Sequence, residues 1–588
     1  MTDYRAPRQD VDFILNRVIG RDRLSTLAAF EPLDEELVSA ILDEAGRFAE
    51  QALAPLNAPG DRAGCRFDNG RVTTPEGWPE AYRQFRDAGW TGLCLPESLE
   101  GQGLPKVLAT PVTECWQGAN LAFSMIQPLT EGAVEALLAS GDQALIDQYG
   151  PRLTRGDWTA TMALTEPAAG SDLGQLRTRA VPDGDGGYRL FGQKLFISYG
   201  EHDLTEHRLH LVLARLPDAP EGSRGISLFA VPSHRLNDQD EPAERNDIHC
   251  TGIEHKLGLH GSPTCSLTFG QNDGARGELV GEPGRGLALM FVMMNEARLS
   301  VGLQGVAVIE RAYQNAVAWA SERKQGRHCE TGEGPVALIE HPDIRRQLLR
   351  IRSQTLASRL LGMHLGFQLD CARQTGHPDR ELAQRRVDLL TPVFKAWSTE
   401  VANRLAGDAI QVFGGMGYVE ETGVAQFYRD LKIATIYEGT TGIQAQDLLF
   451  RKIQRDGGDG FRDWLDQIET DLSPLSDLAS AQHAWASLAR QARALRNRVD
   501  WLLSEKADDP VHLHAAAVPL LEATGVLASA WQLGLAVRAA QDEAVTDEYR
   551  NNVEALFSFY CAHWLPELSA SLVRVYQAGS GGGGYVFA

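Results

Sequence analysis

The first part of the chain has the apolar periodicity of α-helices. Apolar residues recur every three or four positions at Leu37, Ile41, Ala45, Phe48 and Ala52. Pro55 ends this run. Similar runs, broken by glycine-rich loops, continue to about Leu153. This pattern predicts a helical domain at the start of the chain.

From about Trp158 the pattern changes to short runs rich in β-branched and aromatic residues. Loops rich in Gly, Pro and Asp separate the runs, which cover residues 188–191, 209–213, 225–231 and 265–269. Such spacing is typical of short strands joined by turns. It predicts a small antiparallel sheet that ends near Gly286.

Helical periodicity returns after Gly286. Residues 298–323 contain no proline, and residues 389–411 are interrupted only by Pro392. The Gly-Gly-Asp-Gly stretch at 457–460 predicts a linker. Beyond it, apolar residues alternate steps of three and four at Trp485, Leu488, Ala492, Leu495, Val499 and Leu502. This second pattern predicts an amphipathic helix that packs on a core.

The order of these patterns predicts an α+β fold that is mostly α. Its expected parts are an N-terminal extension (1–36), an N-terminal helical domain (37–158), a middle β domain (159–286), a helical bundle (287–456) and a C-terminal helical extension (457–588). No G-x-G-x-x-G lies between a strand and a helix, so a doubly wound dinucleotide fold is not predicted. The glycine-rich end at 579–584 lacks a following Lys-Ser or Lys-Thr, which favours a flexible or turn-rich terminus over a phosphate loop.

Composition narrows the class of protein. Of the 588 residues, 43% are hydrophobic and 23% charged, as in soluble globular proteins, and the net charge of -22 argues against a nucleic-acid partner. The eight cysteines form no C-x-x-C pair, so no metal site is predicted. No signal peptide and no uninterrupted apolar stretch of membrane-spanning length is found. We therefore expect a cytoplasmic protein without a transmembrane segment.

Two short stretches suit contact with a flat cofactor. Residues 164–172, Leu-Thr-Glu-Pro-Ala-Ala-Gly-Ser-Asp, form a turn whose small residues allow close backbone approach and whose hydroxyls and amides can donate to ring carbonyls. Residues 194–198, Lys-Leu-Phe-Ile-Ser, place an aromatic ring and a hydroxyl at a strand end. By itself, the first stretch is more simply explained as a well-made loop, and the second more often marks an ordinary strand with one face buried.

Two further stretches lie in the second half of the chain. Residues 411–418, Gln-Val-Phe-Gly-Gly-Met-Gly-Tyr, contain glycines that allow tight backbone contact or simply end a helix. Residues 429–444 place Glu438 between the apolar pair Ile436-Tyr437 and a Gly-Thr-Thr-Gly turn. A carboxylate against apolar neighbours has a raised proton affinity, which suits a base for a weak carbon acid. A loop glutamate is also commonly just solvated, so both interpretations remain open at this point.

Together the four stretches resemble those of the acyl-CoA dehydrogenases. The T-E-P-x-A-G-S-D loop, the aromatic-Ile-Ser strand, the Q-x-x-G-G-x-G-Y turn and the R-D-x-K-I-x-x-I-Y-E-G-T loop occur in the family's order and at fitting separations. The resemblance extends from about Leu37 to Lys452. The start of the chain, residues 200–205 and the tail beyond Gly457 are similar to the long bacterial branch, which includes methylthiopropionyl-CoA and fatty acyl-CoA dehydrogenases. The resemblance implies the acyl-CoA dehydrogenase fold with an extra C-terminal helical domain.

The resemblance implies FAD as the cofactor. The residues that match flavin-lining positions are Met162, Leu164, Thr165, Gly170 and Ser171 on one side, and Phe196, Ile197 and Ser198 on the other. The family usually has Trp where this chain has Phe196, which still stacks but lacks the indole N–H. Thr440 and Gln444, with Gly439, match positions near the FAD phosphates and adenosine.

The resemblance also implies the reaction. Glu438 would remove the proton from the carbon next to the thioester while the neighbouring carbon gives a hydride to the flavin, forming a trans-2-enoyl-CoA. The Glu438 backbone N–H and a flavin hydroxyl would hold the thioester oxygen, an effect commonly worth ~3 kcal/mol per donor. The residues that match acyl-CoA-binding positions are Ser171, Arg298, Tyr437, Glu438 and Gly439.

Subunit and electron partners follow from the same resemblance. The residues that match positions reaching the FAD of a neighbouring subunit are Arg323, Gln325, Gln411, Gly414 and Gly415. Much of the family has Arg-x-x-Phe-Gly where this chain has Arg-Lys-Gln-Gly-Arg at 323–327, so the adenosine packing differs, although Arg323 can still contact pyrophosphate. A homodimer and electron-transfer flavoprotein are the expected partners. The alternatives are an acyl-CoA oxidase that uses oxygen and a non-redox flavoprotein relative.

Overall fold

The structure is a computed structural model, and it describes residues 3–237 and 239–579. The predicted glycine-rich end therefore lies outside the described residues, apart from Gly579. The α-helices are, in chain order, α1 Arg8–Phe13, α2 Arg21–Leu24, α3 Glu35–Phe48, α4 Ala54–Ala63, α5 Trp78–Asp87, α6 Lys106–Ala119, α7 Leu121–Ser124, α8 Ile126–Ser140, α9 Gln143–Thr154, α10 Gly286–Glu322, α11 Pro342–Arg373, α12 Arg380–Phe413, α13 Val424–Leu431, α14 Thr441–Gln446, α15 Asp459–Leu472, α16 Gln482–Glu505, α17 Pro510–Ala539, α18 Asp547–His563 and α19 Leu565–Gln577.

The strands all lie in the first half of the chain. They are β1 Arg66–Asp68, β2 Arg71–Thr73, β3 Trp158–Ala163, β4 Arg179–Pro182, β5 Tyr188–Ser198, β6 His207–Arg215, β7 Ile226–Pro232, β8 His234–Leu236, β9 Pro242–Arg245, β10 Ile248–Ile253, β11 Thr264–Phe269 and β12 Ala275–Val280. The four runs predicted from the sequence lie on β5, β6, β7 and β11, apart from Gly225, which precedes β7.

Internal contacts divide the chain into two units. The first comprises the chain up to Gly46, Pro105–Gly118 and the chain from Val301 onward. The second comprises Arg47–Leu104 and Ala119–Ser300. Each unit is thus built from segments that are separated in the sequence.

The main sheet belongs to the second unit. Its strand order is β10-β11-β5-β12-β7-β6-β3, and β4 pairs with β5 and β6. The predicted antiparallel pairing holds for most neighbours, but β6 pairs in parallel with β3 and, at one residue pair, with β4. A parallel pair needs a long crossover. The chain between Ala163 and His207, which contains β4 and β5, supplies it.

Both faces of the central strands are covered. On β6, Leu209, Leu211 and Leu213 point into one hydrophobic cluster, whereas Val212 and Ala214 point into another on the opposite face. This alternation follows from the two-residue period of a strand. Burial on both faces explains why residues 211–214 of β6 and 228–231 of β7 are uninterrupted apolar runs in the sequence.

Helices of the first unit match the predicted periodicity with two differences. α16 buries Leu488, Ala492, Leu495, Val499 and Leu502, whereas Trp485 is only partly buried. α12 continues through Pro392 without a break. In the second unit, Pro55 does not end a helical segment but lies in the first turn of α4, directly after a π-helical turn, Ala49–Leu53.

Among the described residues, two helices are long and apolar enough to cross a membrane by length and composition. They are α10 and α17, with 56% and 89% of their most apolar windows buried inside the protein. Core helices of soluble proteins pass the same test. The burial of α17 in particular is that of a core helix.

A buried ionic cluster joins distant segments of the first unit. It consists of Asp10, Glu114, Glu310, Arg352, Arg359 and Tyr549. The guanidinium of Arg359 is 0% exposed and donates to Glu114 at 2.7 Å, to Glu310 at 2.7 Å and to Asp10 at 2.5 Å. These bonds connect α1, α6 and α10 to α11.

Asp10 has further partners within the buried ionic cluster. Arg352 donates to both of its carboxylate oxygens at 2.7 Å, and the Tyr549 hydroxyl donates at 2.9 Å. Burial opposes ionisation of Asp10, but Arg352 and Arg359 outweigh it and hold the pKa of the carboxyl well below its usual range. The Tyr549 contact adds α18, in the C-terminal extension, to the same cluster.

We predict that Arg359→Met destabilises the protein by about 3–5 kcal/mol, because it leaves buried carboxylates without their cation. Urea unfolding of the purified variant measures the loss. Arg346→Met is the matched control, since Arg346 is a more exposed arginine of the same helix whose ion pair with Asp343, at 2.8 Å, is worth about 0–1 kcal/mol. Equal losses in the two variants would contradict the prediction.

Candidate active site

The loop at residues 164–172 is fixed to the sheet of the second unit. The buried ammonium of Lys194, on β5, lies 2.8 Å from a carboxylate oxygen of Glu166 and 3.0 Å from the carbonyl oxygen of Leu164. Glu166 also accepts hydrogen bonds from the backbone N–H groups of Arg177, at 2.6 Å, and Thr178, at 3.1 Å. Burial lowers the pKa of Lys194 to about 8, although Glu166 opposes this shift.

Residues of this loop predicted to line flavin differ in their exposure. Gly170 and Ser171 are exposed, and a Cβ added at Gly170 would meet no atom within 4 Å. Met162, Leu164 and Thr165 are half-buried. The loop therefore exposes Gly170 and Ser171 to solvent, beside a backbone that Glu166 and Lys194 hold in place.

The end of β5 presents an aromatic ring to the surface. Phe196 is 60% exposed and has a φ of 60°, in the left-handed region. Such a conformation is uncommon for a residue that is not glycine, and it leaves a flat apolar face available to a ring system. Ser198 is half-buried, whereas the side chain of Ile197 is only 1% exposed and lies in a hydrophobic cluster. Ile197, with 1% exposure for the whole residue, therefore offers almost no surface to a ligand.

Arg298, predicted to bind acyl-CoA, lies on the part of α10 that belongs to the second unit. It is buried, and its guanidinium carbon lies 5.9 Å from the centre of the Phe291 ring.

In the first unit, Glu438 lies in the bend between a 3₁₀ turn, Lys432–Thr435, and α14. It is half-buried, with a φ of 54°, and Gly439 follows with a φ of 89°. Of the predicted apolar neighbours, Tyr437 is half-buried but Ile436 is 50% exposed. A left-handed residue other than glycine costs roughly 1–3 kcal/mol and persists only where its surroundings impose it, which is common at functional sites.

Three buried side chains impose the conformation of this bend. Gln444, on α14, donates to the Glu438 carbonyl oxygen at 2.9 Å, and Lys395, on α12, donates to the Gly439 carbonyl oxygen at 2.7 Å. The Tyr437 hydroxyl donates to the side-chain oxygen of Gln304, on α10. We call Gln304, Lys395 and Gln444 the loop anchors.

The packing around the bend explains its sequence. A Cβ on Gly439 would lie 2.7 Å from the Gln444 amide nitrogen, so glycine is needed there for space as well as for φ. Thr440 caps α14 by accepting from the Ile443 N–H at 3.3 Å. Burial raises the pKa of Tyr437; the hydrogen bond to Gln304 opposes this rise, and the neighbouring Glu438 carboxylate adds to it.

The residues predicted to reach a second subunit are all exposed. Arg323 donates to the side-chain oxygen of Gln325 at 3.1 Å. Gln411 is near the end of α12, which Gly414 terminates with a φ of 63°. A Cβ at Gly414 or Gly415 would meet no atom within 4 Å. These positions are therefore accessible to another molecule.

Several observations fit the binding of FAD. Phe196 offers an exposed aromatic face, and Gly170, Gly414 and Gly415 leave open space beside the backbone. The side-chain oxygen of Gln444 is buried and has no hydrogen-bond partner among the described residues, so it can accept from a ligand donor. Across residues 3–237 and 239–579, no group of three or more His, Cys, Asp or Glu could hold a metal ion.

The sequence alone did not single out Lys395, Gln304, or the pair of Glu166 and Lys194. A weak signal existed for Lys395, since it stands in the run Val-Phe-Lys-Ala-Trp, where a charged residue must find a partner on burial. Glu166 and Lys194 lie within motifs that carried the resemblance. Their pairing depends on a contact between residues 28 positions apart.

Models of protein-family domains match most of the chain. The acyl-CoA dehydrogenase N-terminal, middle and C-terminal domains match residues 35–157, 161–271 and 284–451. A domain described as acetyl-CoA dehydrogenase C-terminal like matches residues 464–580. The C-terminal extension is therefore a separately described domain of related proteins.

Individual proteins agree with these matches. The chain is 43% identical to a 3-methylmercaptopropionyl-CoA dehydrogenase of Ruegeria pomeroyi, over 98% of both chains. It is 33% identical to a broad-specificity linear acyl-CoA dehydrogenase, FadE5, of Mycobacterium tuberculosis, over 97% of both. In fold it is similar to Caenorhabditis elegans ACDH-11, solved in complex with C11-CoA, with a TM-score of 0.76, 21% identity and 94% of each chain covered.

These matches confirm the predicted fold, mostly α with a β domain and an added helical region at the C-terminal end. Two of the relatives are named for acyl-CoA dehydrogenase activity and extend over nearly the whole chain. The chain thus belongs to the acyl-CoA dehydrogenase family, whose members are FAD-dependent enzymes.

Proposed function

We propose that this acyl-CoA dehydrogenase uses Glu438 as the base that removes the α-proton of an acyl-CoA thioester. The observation that carries the proposal is the left-handed backbone of Glu438, a conformation held by Gln444 and Lys395 in a loop with the family's sequence. A strained backbone that buried side chains hold in place is typical of a functional residue.

Glu438 has two tasks in this proposal. Its carboxylate takes the proton from the carbon next to the thioester, and its backbone N–H donates to the thioester oxygen, where negative charge develops. Bound FAD would supply the acceptor for the hydride of the neighbouring carbon, and the product would then be a trans-2-enoyl-CoA. Tyr437 and Gly439 contact the acyl-CoA beside Glu438, and Ser171 and Arg298 hold its CoA portion.

FAD binding is assigned to the residues that match the family's FAD-binding positions. We assign the flavin ring to the 164–171 loop with Met162, and to Phe196, Ile197 and Ser198, of which Phe196 is the most exposed. Thr440 and Gln444 serve the phosphates and adenosine. Arg323, Gln325, Gln411, Gly414 and Gly415 are accessible and would reach the FAD of a second subunit in a homodimer.

The identity of the acyl group and of the electron acceptor completes the proposal. The relative of 43% identity over 98% of both chains favours 3-methylmercaptopropionyl-CoA, and the FadE5 relative favours linear acyl-CoA. We place 3-methylmercaptopropionyl-CoA first because that relative is the more similar of the two. Electron-transfer flavoprotein is the proposed acceptor.

We predict that 3-methylmercaptopropionyl-CoA bleaches the flavin absorbance of the holoenzyme without oxygen, faster than butyryl-CoA or octanoyl-CoA does. Stopped-flow absorbance measures the three rates. Faster bleaching by a linear acyl-CoA would reassign the substrate, and no bleaching by any acyl-CoA would contradict the dehydrogenation. Rapid oxygen consumption without an added carrier would instead indicate an oxidase.

We predict that Glu438→Gln keeps FAD and acyl-CoA binding but lowers turnover by roughly 10²–10⁴-fold, because an amide cannot accept the α-proton. Flavin content, acyl-CoA titration and steady-state turnover are the measurements. Glu505→Gln, at the exposed end of α16, is the control and keeps full turnover. Near-normal turnover in Glu438→Gln would remove Glu438 from its proposed role.

We predict that Arg323→Ala purifies with less FAD per chain, because it removes a cation able to contact the pyrophosphate. The ratio of flavin to protein absorbance after gel filtration gives the FAD content. Arg493→Ala is the control, since Arg493 is an exposed arginine of α16. Unchanged flavin content in Arg323→Ala would exclude this contact.

A further inference from the structure

Each residue of the segment 437–439 is held by a side chain from a different helix. The loop anchors Gln304, Lys395 and Gln444 belong to α10, α12 and α14. All three are buried, with 0% exposure at Lys395 and Gln444. Only one of them, Lys395, carries a charge.

A buried lysine is unusual because removing an ammonium group from water is costly. The cost is reduced when the group makes charge-assisted hydrogen bonds, which are roughly twice as strong as neutral ones. The ammonium of Lys395 lies 2.7 Å from the Gly439 carbonyl oxygen, one peptide away from Glu438. The charge is thus directed at the bend that contains the proposed base.

The bend needs such a partner. Glu438 and Gly439 both have positive φ, so this segment is not part of a regular helix or strand. Its carbonyl groups therefore need hydrogen-bond donors from elsewhere. Gln444 supplies a neutral donor to the first and Lys395 a charged donor to the second. Without Lys395, the Gly439 carbonyl would lose its strongest bond, and residue 438 could relax toward negative φ.

We propose that Lys395 is a positioning residue for the reaction, one that fixes the Glu438–Gly439 backbone so that the carboxylate and N–H of Glu438 reach the substrate together. The inference rests on the proposed role of Glu438. Lys395 acts only through the loop, and proton transfer depends steeply on geometry, where a misplacement of about 1 Å can cost ~100-fold in rate.

The test compares Lys395→Met with Lys452→Met in the FAD-loaded enzyme. Methionine keeps the length of the side chain but removes the charge and the donors. Lys452 is a lysine of the same unit, 3.7 Å from Asp388, and it makes no contact with the 438–439 carbonyls. The probes are 3-methylmercaptopropionyl-CoA and butyryl-CoA, each with hydrogen or deuterium on the α-carbon, and rates are expressed per bound FAD.

For Lys395→Met we expect the rate of flavin reduction to fall ~100-fold while the acyl-CoA Kd stays within about twofold of wild type. The α-deuterium isotope effect should rise, because proton removal then limits the rate more fully. Lys452→Met should match wild type in all three quantities. A purely structural role for Lys395 would lower the amount of holoenzyme but leave the isotope effect and the rate per FAD unchanged, which would overturn the proposal.

A second variant keeps the test decisive. If Lys395→Met yields no folded holoenzyme, Lys395→Gln replaces it. Because its shorter side chain retains a neutral donor, we expect changes in the same direction but a smaller fall in the rate of flavin reduction. The two proposals also fail differently. If Glu438→Gln retains turnover, the role of Glu438 is wrong; if Glu438→Gln is inactive but the Lys395 variants have wild-type isotope effects and rates, only the positioning role is wrong.

Discussion

The first unit depends on the buried ionic cluster around Arg359. Its carboxylates come from α1, α6 and α10, and its arginines from α11. An ion buried without its partner costs several kcal/mol, so every segment that supplies a charge must be in place for the others to be tolerated. Apolar packing accepts many near-equivalent arrangements, but this cluster accepts few. The ionic cluster therefore specifies which segments pack together, in addition to stabilising their packing.

Local sequence patterns predicted the helices and strands well, but they did not predict which strands pair or how helices pack. The strands β5, β6, β7 and β11 and the helix α16 follow from periodicity, because a side chain's face depends on its neighbours in sequence. The parallel pairing of β3 with β6 and the passage of α12 through Pro392 depend on partners far along the chain. The buried charges of the ionic cluster could not be predicted either, because Asp, Glu and Arg are mostly found at the protein surface.

The candidate site shows the same division. Motifs identified Glu438 and Phe196, and both prove to be among the seven described non-glycine residues with positive φ. Nothing in a glutamate or phenylalanine predicts that conformation, because neither favours it intrinsically. Lys395 and Gln304 were not singled out because each is an isolated polar residue within a short apolar stretch of its helix, residues 393–397 and 301–308. The buried side chain of Ile197 likewise depends on how β5 packs.

The interrupted order of the two units has a consequence for protein synthesis. The second unit is complete once Ser300 has left the ribosome, whereas Asp10 must wait for Tyr549, 539 residues later. At about 5–20 residues per second, that interval is roughly half a minute to two minutes. Arg352 and Arg359 follow Asp10 by 342 and 349 residues, so Asp10 lacks its charged partners for the larger part of this time. All residues of the second unit are therefore synthesised before the first unit can form its contacts between Asp10 and the C-terminal extension.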